Sequence, residues 1–282
     1  MIEMDMALRE NTYTGFKIAS LVFAAGRGSR MKDVETNKTL LPLVPGKPVT
    51  DREKSHPIIY EIIKNLPPGP KAVVVHYKQD DVRKITEGLN LTYCEQKDLN
   101  GTGGALLAAR DFLINTSCNQ IVITMGDVPF VKRATYDLLT EKLQSFDMVV
   151  LGFEPEGKQK YGVLETKNRH VIKITEWKYW KDYPKDRQDS LTICNSGIYA
   201  IKKRSLLHYL DILRSQPHTV YKNVNGKTVE RKEYFLTDII EYMHKDGLSV
   251  GYVLAKNTDE VMGVDTPEAL ARARTLFRAR KE

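Results

Sequence analysis

The 282-residue sequence contains few cysteines: Cys94, Cys118 and Cys194 are an odd number and lie far apart. Such a set does not make a disulfide framework, so we expect reduced thiols in a cytoplasmic protein. The six histidines show no spacing typical of metal ligands, which argues against a structural zinc site.

The sequence also lacks the signals of two common partners. No apolar run approaches the length of a membrane span, and the opening MIEMDMALRE is mixed and acidic, unlike a secretory signal. No run of five or more Lys or Arg residues and no nucleic-acid-binding motif is present. We therefore expect neither membrane nor nucleic acid as a partner. The formal net charge of +7 is attributed to a solvated surface and a site for anionic small molecules.

Short apolar segments rich in β-branched residues alternate with helical patterns over the first half of the sequence. Strands of this kind, buried on both faces, and their βαβα order predict an α/β fold with a doubly wound, mainly parallel sheet. The predicted strands are 17–23, 71–77 and 120–125, and the predicted helices are 58–66, 80–89 and 103–113.

After about residue 146 the pattern changes to strands with few helices between them. A polar, aromatic stretch at 177–190 is predicted to be a loop or flap, and residues 1–16 a loose arm. The predicted strands are 147–153, 161–166, 170–177 and 191–201, and the predicted helices are 203–214, 235–245 and 267–280.

A glycine-rich turn, FAAGRGSRM (23–31), follows the first strand. Small residues let backbone N–H groups approach a phosphate or a base, and arginines add forked donors. The stretch is neither a P-loop nor a complete dinucleotide fingerprint, and a tight strand–helix turn is the alternative. The candidate residues here are Ala24, Ala25, Gly26, Arg27, Gly28, Arg30 and, eight residues further on, Lys38.

A second glycine cluster, in EQKDLNGTGGALLAA (95–109), opens a predicted helix. Free N–H groups at a helix start favour an anion or a carbonyl-rich base, and the side chain of Gln96 carries both a donor and an acceptor. Gly101 and Thr102 complete this candidate. The alternative is a helix start capped by Thr102.

The third signal is ITMGDVPF (123–130), where Asp127 emerges at the carboxyl end of an apolar strand. Ligands bind at this edge of open α/β sheets, and an acid placed there among phosphates indicates Mg²⁺. An acid that caps the following turn is the alternative.

Together these segments resemble the sugar-1-phosphate nucleotidyltransferases, in particular the uridylyltransferase half of bacterial bifunctional N-acetylglucosamine-1-phosphate uridylyltransferase. The family signature L-A-A-G-x-G-T-R-M, followed by P-K and L-x-P, corresponds to FAAGRGSRM and NKTLLPL. Other motifs follow in the family's order between about residues 17 and 275: Q…GTGGA, GDVP, YGVL (161–164), ITEWK (174–178), NSGIYA (195–200), YFLTDII (234–240) and GVDTPEAL (263–270).

The resemblance implies a Rossmann-like nucleotide-diphospho-sugar transferase fold in one domain, 17–282. Its nucleotide-binding part spans about 17–146 and its sugar-binding part about 147–282. The implied reaction joins an NTP, with UTP preferred, and a sugar 1-phosphate to give a nucleotide sugar and pyrophosphate.

The resemblance also assigns roles to residues. Arg30 and Lys38, assisted by Arg27, are placed on the triphosphate, and Gln96 and Gly101 at the base. Mg²⁺ is assigned to Asp127 and Asp265, and the sugar to Gly162, Glu176 and Asn195. The residues alone allow a surface salt bridge for Glu176, a β-turn role for Asn195 and a helix cap for Asp265.

The sequence departs from the family at two places near the lysine. Asn37 stands where the family has proline, which predicts a less rigid loop, and GKPVTDREKSHPIIYEII holds an extra segment near residues 47–57. The family's acetyltransferase half is not found. The alternative functions are cytidylyl or other nucleotidyl transfer to a non-sugar phosphate, and a catalytically idle nucleotide-sugar-binding protein. No particular oligomeric state is predicted.

Overall fold

The computed structural model of the chain describes residues 17–28, 31, 36–224 and 227–280. The predicted arm at 1–16 and Arg30 lie outside these residues. The strands are β1 (Ile18–Phe23), β2 (Lys71–Val75), β3 (Leu91–Glu95), β4 (Gln120–Met125), β5 (Met148–Phe153), β6 (Val163–Lys167), β7 (His170–Thr175), β8 (Cys194–Lys202), β9 (His218–Val224), β10 (Lys227–Glu233) and β11 (Val250–Leu254).

A nine-stranded sheet runs through the molecule in the order β11-β5-β8-β4-β1-β2-β3, with β6 and β7 attached beside β8. The pairs β1–β2, β1–β4, β2–β3 and β5–β11 are parallel, whereas β8 runs antiparallel to both β4 and β5. The doubly wound, mixed and mainly parallel sheet is therefore confirmed. Strands from both predicted parts of the domain share it, and β9 and β10 form a separate hairpin.

Two apolar clusters lie on opposite faces of the sheet because successive strand residues point to opposite sides. On β1, Leu21 belongs to one cluster and Val22 to the other, and both side chains are fully buried. The helices of the described residues are α1 (Arg52–Ser55), α2 (Ile58–Asn65), α3 (Gln79–Ile85), α4 (Thr102–Ala108), α5 (Arg110–Asn115), α6 (Arg133–Lys142), α7 (Trp177–Trp180), α8 (Lys185–Ser190), α9 (Lys203–Ser215), α10 (Asp238–Lys245) and α11 (Pro267–Ala279). None of these helices is long and apolar enough to cross a membrane.

Several predicted elements differ in the structure. The helix predicted at 103–113 is two helices, because the backbone leaves helical geometry at Ala109 (φ −89°, ψ 7°). The loop or flap predicted at 177–190 contains α7 and α8, and it is anchored by the buried Trp180, whose indole N–H donates to Tyr161 O at 2.8 Å. The sequence reading also missed β3, β11, α6 and the β9–β10 hairpin.

The extra segment near residues 47–57 folds back against the domain. It contains α1, where the Arg52 guanidinium donates to Ile85 O at 3.2 Å and to Glu87 O at 2.5 Å. Backbone bonds from Leu43 N to His56 O and from Ile58 N to Leu41 O, 3.0 and 3.1 Å long, close the segment on itself. These contacts attach the extra segment to α3 and to the chain that follows Lys38.

Candidate active site

The site begins where β1 and β4 lie side by side. Phe23 and Met125, the last residues of these strands, are paired partners, and Gly126 N donates to Phe23 O at 2.9 Å. A Cβ on Gly126 would lie 2.6 Å from that same carbonyl oxygen, so only glycine fits this crossing. The strand order reverses between β1 and β4, which is where open α/β sheets bind ligands.

A cavity of about 360 Å³ opens at this edge and brings together most of the residues predicted for the nucleotide. Arg27 and Gly28 are not among the described residues that line it. The Arg27 guanidinium lies 5.9 Å from the centre of the Tyr77 ring. The cavity is lined by the predicted Ala24, Ala25, Gly26, Lys38, Gln96, Gly101, Thr102 and Asp127, and by Phe23, Thr39, Leu99, Ala105, Met125 and Glu233.

Lys38 and Asp127 meet at the floor of this cavity. The Lys38 ammonium forms an ion pair with the Asp127 carboxylate, and about a fifth of each side chain is exposed. Gly28 has a left-handed backbone (φ 64°), and a Cβ there would press on the Lys38 side chain at 3.3 Å. In this structure Gly28 therefore leaves space for the lysine side chain.

Hydrogen bonds of Asn37 hold the loop that presents Lys38, which argues against the predicted loss of rigidity there. Asn37 is fully buried, and its amide donates to Ala24 O at 3.0 Å and to Tyr77 O at 2.8 Å. Its carbonyl accepts from Thr39 N at 3.0 Å and from the Thr39 hydroxyl at 2.9 Å. The first two bonds tie the loop to the segments that follow β1 and β2, and the other two lie within the loop.

The turns that carry Asp127 and Asp265 are adjacent. Val264 N donates to Asp127 O at 2.8 Å. The buried Glu260 carboxylate accepts hydrogen bonds from Lys132 N, at 3.0 Å, and from the Thr135 hydroxyl, which fastens the 258–261 turn to the start of α6. Asp127 and Asp265 therefore lie on neighbouring turns at the predicted edge of the sheet.

Asp265 is not the cap of the last helix. Thr266 is the N-cap of α11, and its hydroxyl accepts from Ala269 N at 3.2 Å. Within 17–28, 36–224 and 227–280, no three His, Cys, Asp or Glu side chains gather as a metal cluster. Two carboxylates on adjacent turns suit Mg²⁺, which accepts one or two carboxylates and completes its octahedron with water and phosphate oxygens.

Gln96 offers less to a ligand than its side chain suggests. It is buried beside the cavity, and its amide nitrogen donates to Asn100 Oδ1 at 3.0 Å and to Gly101 O at 3.1 Å. A backbone carbonyl can only accept, so this contact fixes which end of the amide is the nitrogen. Both amide hydrogens are used inside the loop, and the Gln96 carbonyl oxygen remains for a ligand.

The second glycine cluster makes room for another segment of the chain. A Cβ on Gly101 would lie 2.4 Å from Tyr234 O, and one on Gly103 would lie 2.7 Å from Tyr234 C. Gly103 N donates to Tyr234 O at 2.8 Å, so this N–H is not free for a ligand as predicted. Thr102 does not cap its helix either, because the N-cap is Gly101 and the Thr102 hydroxyl accepts from Leu236 N at 3.1 Å.

A second cavity, of about 350 Å³, contains Glu176. Burial raises the pKa of Glu176 above its ordinary value, and the nearby Asp238 adds to the rise, while Lys178 and a hydrogen bond from Thr237 oppose it. Burial likewise raises the pKa of Asp238, against the effect of His218, whose Nε2 lies 2.8 Å from Asp238 Oδ2. Phe235, Tyr179 and Tyr183 supply aromatic walls. A cavity of carboxylates, a hydroxyl and aromatic rings suits a hydroxyl-rich ligand.

Gly162 lies next to Glu176, and Asn195 lies next to Gly162. Gly162 O accepts from Asn195 N at 2.8 Å, and a Cβ on Gly162 would lie 3.4 Å from the Glu176 carboxylate. Asn195 lies inside β8, where its side chain donates to the Tyr199 hydroxyl at 2.8 Å and accepts from Gly197 N at 3.1 Å. The three residues predicted for the sugar therefore lie together, and much of the Asn195 amide is used in the irregular pairing of β8.

Among the lining residues that sequence reasoning missed are His218 and Glu233. They are the first residue of β9 and the last residue of β10, and they are paired partners at the root of the hairpin. His218 lines the second cavity and Glu233 the first. No motif indicated either one, since only the pairing of the hairpin brings them there.

Comparison with known proteins identifies the family to which the chain is similar. The model of the MobA-like NTP transferase domain matches residues 20–185. The bifunctional protein GlmU of Brucella anthropi is 30% identical over 265 residues, which cover 93% of this chain and 53% of that protein. GlmU of Caldicellulosiruptor saccharolyticus is 29% identical over 253 residues, 89% of this chain and 50% of that protein. The chain thus spans about half the length of the curated relatives it matches.

Solved structures share the fold. A Bacillus anthracis protein assigned as a glucose-1-phosphate thymidylyltransferase superposes with a TM-score of 0.67 at 22% identity, covering 93% of this chain and 95% of that one. The uridine diphosphate N-acetylglucosamine pyrophosphorylase of Trypanosoma brucei gives a TM-score of 0.68 at 14% identity, covering 91% and 64%. These likenesses confirm the predicted nucleotide-diphospho-sugar transferase fold.

Asn37 gives a test of how the lysine loop is held. In Asn37→Ala, a buried carbonyl, a half-buried carbonyl and the Thr39 N–H each lose a hydrogen bond, so we expect the free energy of unfolding to fall by about 2–4 kcal/mol. Urea denaturation followed by tryptophan fluorescence measures it.

Asn257→Ala is the matched control, because Asn257 also caps a 3₁₀ helix and accepts from Asp259 N at 2.8 Å, but is exposed. Its loss should cost at most about 1 kcal/mol. Equal losses for the two variants would show that Asn37 is only a cap.

Proposed function

The chain belongs to the MobA-like NTP transferase family, and we propose that it joins an NTP and a sugar 1-phosphate into a nucleotide sugar, with release of pyrophosphate. The observation that supports this most is the cavity at the β1–β4 edge, which combines the small-residue loop, Gln96 and the Lys38–Asp127 pair. The curated relatives of similar sequence are named as bifunctional GlmU proteins.

The chemistry requires charge neutralisation more than covalent help from the protein. An oxygen of the sugar phosphate attacks the α-phosphorus of the NTP, and the bond from that phosphorus to the bridging oxygen of pyrophosphate breaks. Positioning and electrostatic stabilisation account for most of the catalysis in such transfers. In the proposal Lys38 meets the negative charge of the triphosphate and of the leaving pyrophosphate. Arg30, which lies outside the described residues, is proposed to share this role, and Arg27 assists.

Mg²⁺ is the proposed cofactor, held by Asp127 and Asp265 on their adjacent turns. When bound, the ion offsets negative charge on the phosphates of the two substrates. Lys38 pairs with Asp127, so a cation and a carboxylate already face each other beneath the cavity. When a metal and phosphates bind, the metal can pair with Asp127 and the phosphates with Lys38, so neither charge is left unpaired.

The base choice follows from the Gln96 amide. Its free carbonyl oxygen accepts a hydrogen and suits the N3–H of uracil or thymine, whereas N3 of cytosine carries no hydrogen. Gly101 lines the same part of the cavity. We therefore propose a uracil or thymine nucleotide, and UTP in particular because the resemblance to the uridylyltransferases implies it. The sugar is proposed to lie against Gly162, Glu176 and Asn195, where a wrong sugar would leave buried polar groups unpaired.

Pyrophosphate release tests the proposal directly. UTP, dTTP, CTP and GTP are each incubated with glucose 1-phosphate, N-acetylglucosamine 1-phosphate and phosphocholine. We expect release with a sugar 1-phosphate, and Lys38→Met should lower turnover by about 10²–10³, the scale for one lost transition-state donor.

Lys185→Met is the control, because Lys185 is an exposed lysine whose partner is Asp189, one helical turn away. Its turnover should not change. Release with phosphocholine alone would make the protein a nucleotidyltransferase for a non-sugar acceptor. Binding of UTP without release from any pair would make it an idle binding protein.

A substitution at Gln96 tests the proposed preference for the base. Gln96→Ala removes the oxygen that accepts the imino hydrogen, so kcat/KM for UTP should fall by about 10- to 100-fold, one good hydrogen bond in a buried site. The loss for CTP should be smaller, so the UTP/CTP ratio falls. An equal loss for every nucleotide would assign Gln96 to the structure of its loop.

A substitution at Asp265 tests the proposed Mg²⁺ site. Asp265→Asn keeps the shape and leaves the Thr266 cap of α11 intact. The Mg²⁺ concentration for half-maximal turnover should rise at least about tenfold, and Mn²⁺ binding in the presence of UTP, measured by electron paramagnetic resonance, should weaken in parallel.

The control is Asp259→Asn, on the neighbouring 3₁₀ turn, where Asp259 pairs with Arg272 at 2.5 Å. If Asp265→Asn behaves like this control in both measurements, Asp265 is not a metal ligand.

A further inference from the structure

The two cavities are joined by one short segment of the chain, residues 234–238. At one end, Tyr234 N donates to Asn100 O and Gly103 N donates to Tyr234 O, both at 2.8 Å, so the segment is clamped to the nucleotide loop. At its other end, Thr237 and Asp238 line the second cavity together with Glu176, and Asp238 contacts His218. The segment thus begins at the first cavity and ends in the second.

The contact in the middle of the segment comes from a side chain. The Thr102 hydroxyl accepts from Leu236 N at 3.1 Å, and the Leu236 side chain is 1% exposed. A buried backbone N–H that loses its partner is costly, so this bond fixes the backbone of the segment. Phe235 and Thr237, the two neighbours of Leu236, both line the second cavity.

The packing leaves the segment no room to shift toward the loop. At Gly101 and Gly103, even one added carbon would overlap with the backbone of Tyr234. The position of Phe235 and Thr237 is therefore set from the nucleotide side. In the part of the chain that the structure describes, no residue that lines the second cavity makes a hydrogen bond to the Leu236 backbone.

We propose that Thr102 is a positioning residue for the acceptor: through Leu236 it holds the wall of the second cavity, although it lies on the nucleotide loop. This inference rests on the proposed function for its assignment of the second cavity to the sugar phosphate. It goes beyond that function by linking a residue of the nucleotide loop to acceptor affinity.

The test compares Thr102→Val, which keeps the shape and removes the acceptor oxygen, with Thr102→Ser, which keeps the oxygen. Thr102→Val should raise the KM for the sugar 1-phosphate about five- to tenfold, the effect of one half-buried hydrogen bond, with a smaller change in the KM for UTP. Thr102→Ser should restore the wild-type value. Glu176→Gln gives the reference for a direct loss of an acceptor contact.

Amide hydrogen exchange gives a readout that needs no activity. The Leu236 amide should exchange slowly in the wild type and in Thr102→Ser, and at least tenfold faster in Thr102→Val. If Thr102→Val does not fold, Thr102→Ala takes its place in both measurements.

Three outcomes would overturn the proposal: equal rises in both KM values, a rise for UTP alone, or fast exchange at Leu236 with an unchanged acceptor KM. A failure of the proposed function looks different. Absence of pyrophosphate release in the wild type, or an unchanged acceptor KM in Glu176→Gln, would remove the acceptor assignment. The exchange measurement would still report whether Thr102 holds the segment.

Discussion

The parallel pairing of β1 with β4 determines where the chemistry can take place. It sets Phe23 beside Met125, so the loop after β1 and the turn after β4 leave the sheet at the same point. Gly126 crosses the end of β1 with no space for a side chain, and Asp127 follows it to meet Lys38. A shift of one residue in this pairing would turn every β4 side chain to the other face and move Asp127 away from the lysine loop. The ion pair, the cavity above it and the turn of Asp265 all depend on this register.

Glycines in the two loops serve packing of the chain against itself as much as access for a ligand. Gly28 leaves space for the Lys38 side chain, and Gly101 and Gly103 leave space for the backbone of Tyr234. A glycine-rich motif in sequence does not distinguish these uses, because both require the absence of a Cβ. In this fold the close approach of the 234–238 segment ties the nucleotide loop to the neighbouring cavity. The same residues can then shape two binding surfaces at once.

The sequence predicts the elements that are strongly patterned and the residues that lie close to them. The apolar strands β1, β2 and β4 and the position of Asp127 at a strand end follow from hydrophobic runs alone. The edge strand β3 (LTYCE) was missed because it is half-exposed and carries polar side chains. The anchoring of Asn37 was not predicted because two of its bonds reach residues 13 and 40 positions away. His218 and Glu233 were missed for the same reason: tertiary pairing places them, and no local pattern reports it.

The two cavities draw on different parts of the chain. The first is built mainly by residues up to 127, and the second by residues from 173 onward. The hairpin contributes to both, because His218 and Glu233 are partners in a single pair at its root. Strands β9 and β10 form a sheet of their own, so changes along the hairpin need not disturb the central sheet. Substitutions between residues 173 and 183 can therefore alter the second cavity while Lys38 and Asp127 keep their places. The 234–238 segment differs from them because it is hydrogen-bonded to the nucleotide loop as well as lining the second cavity.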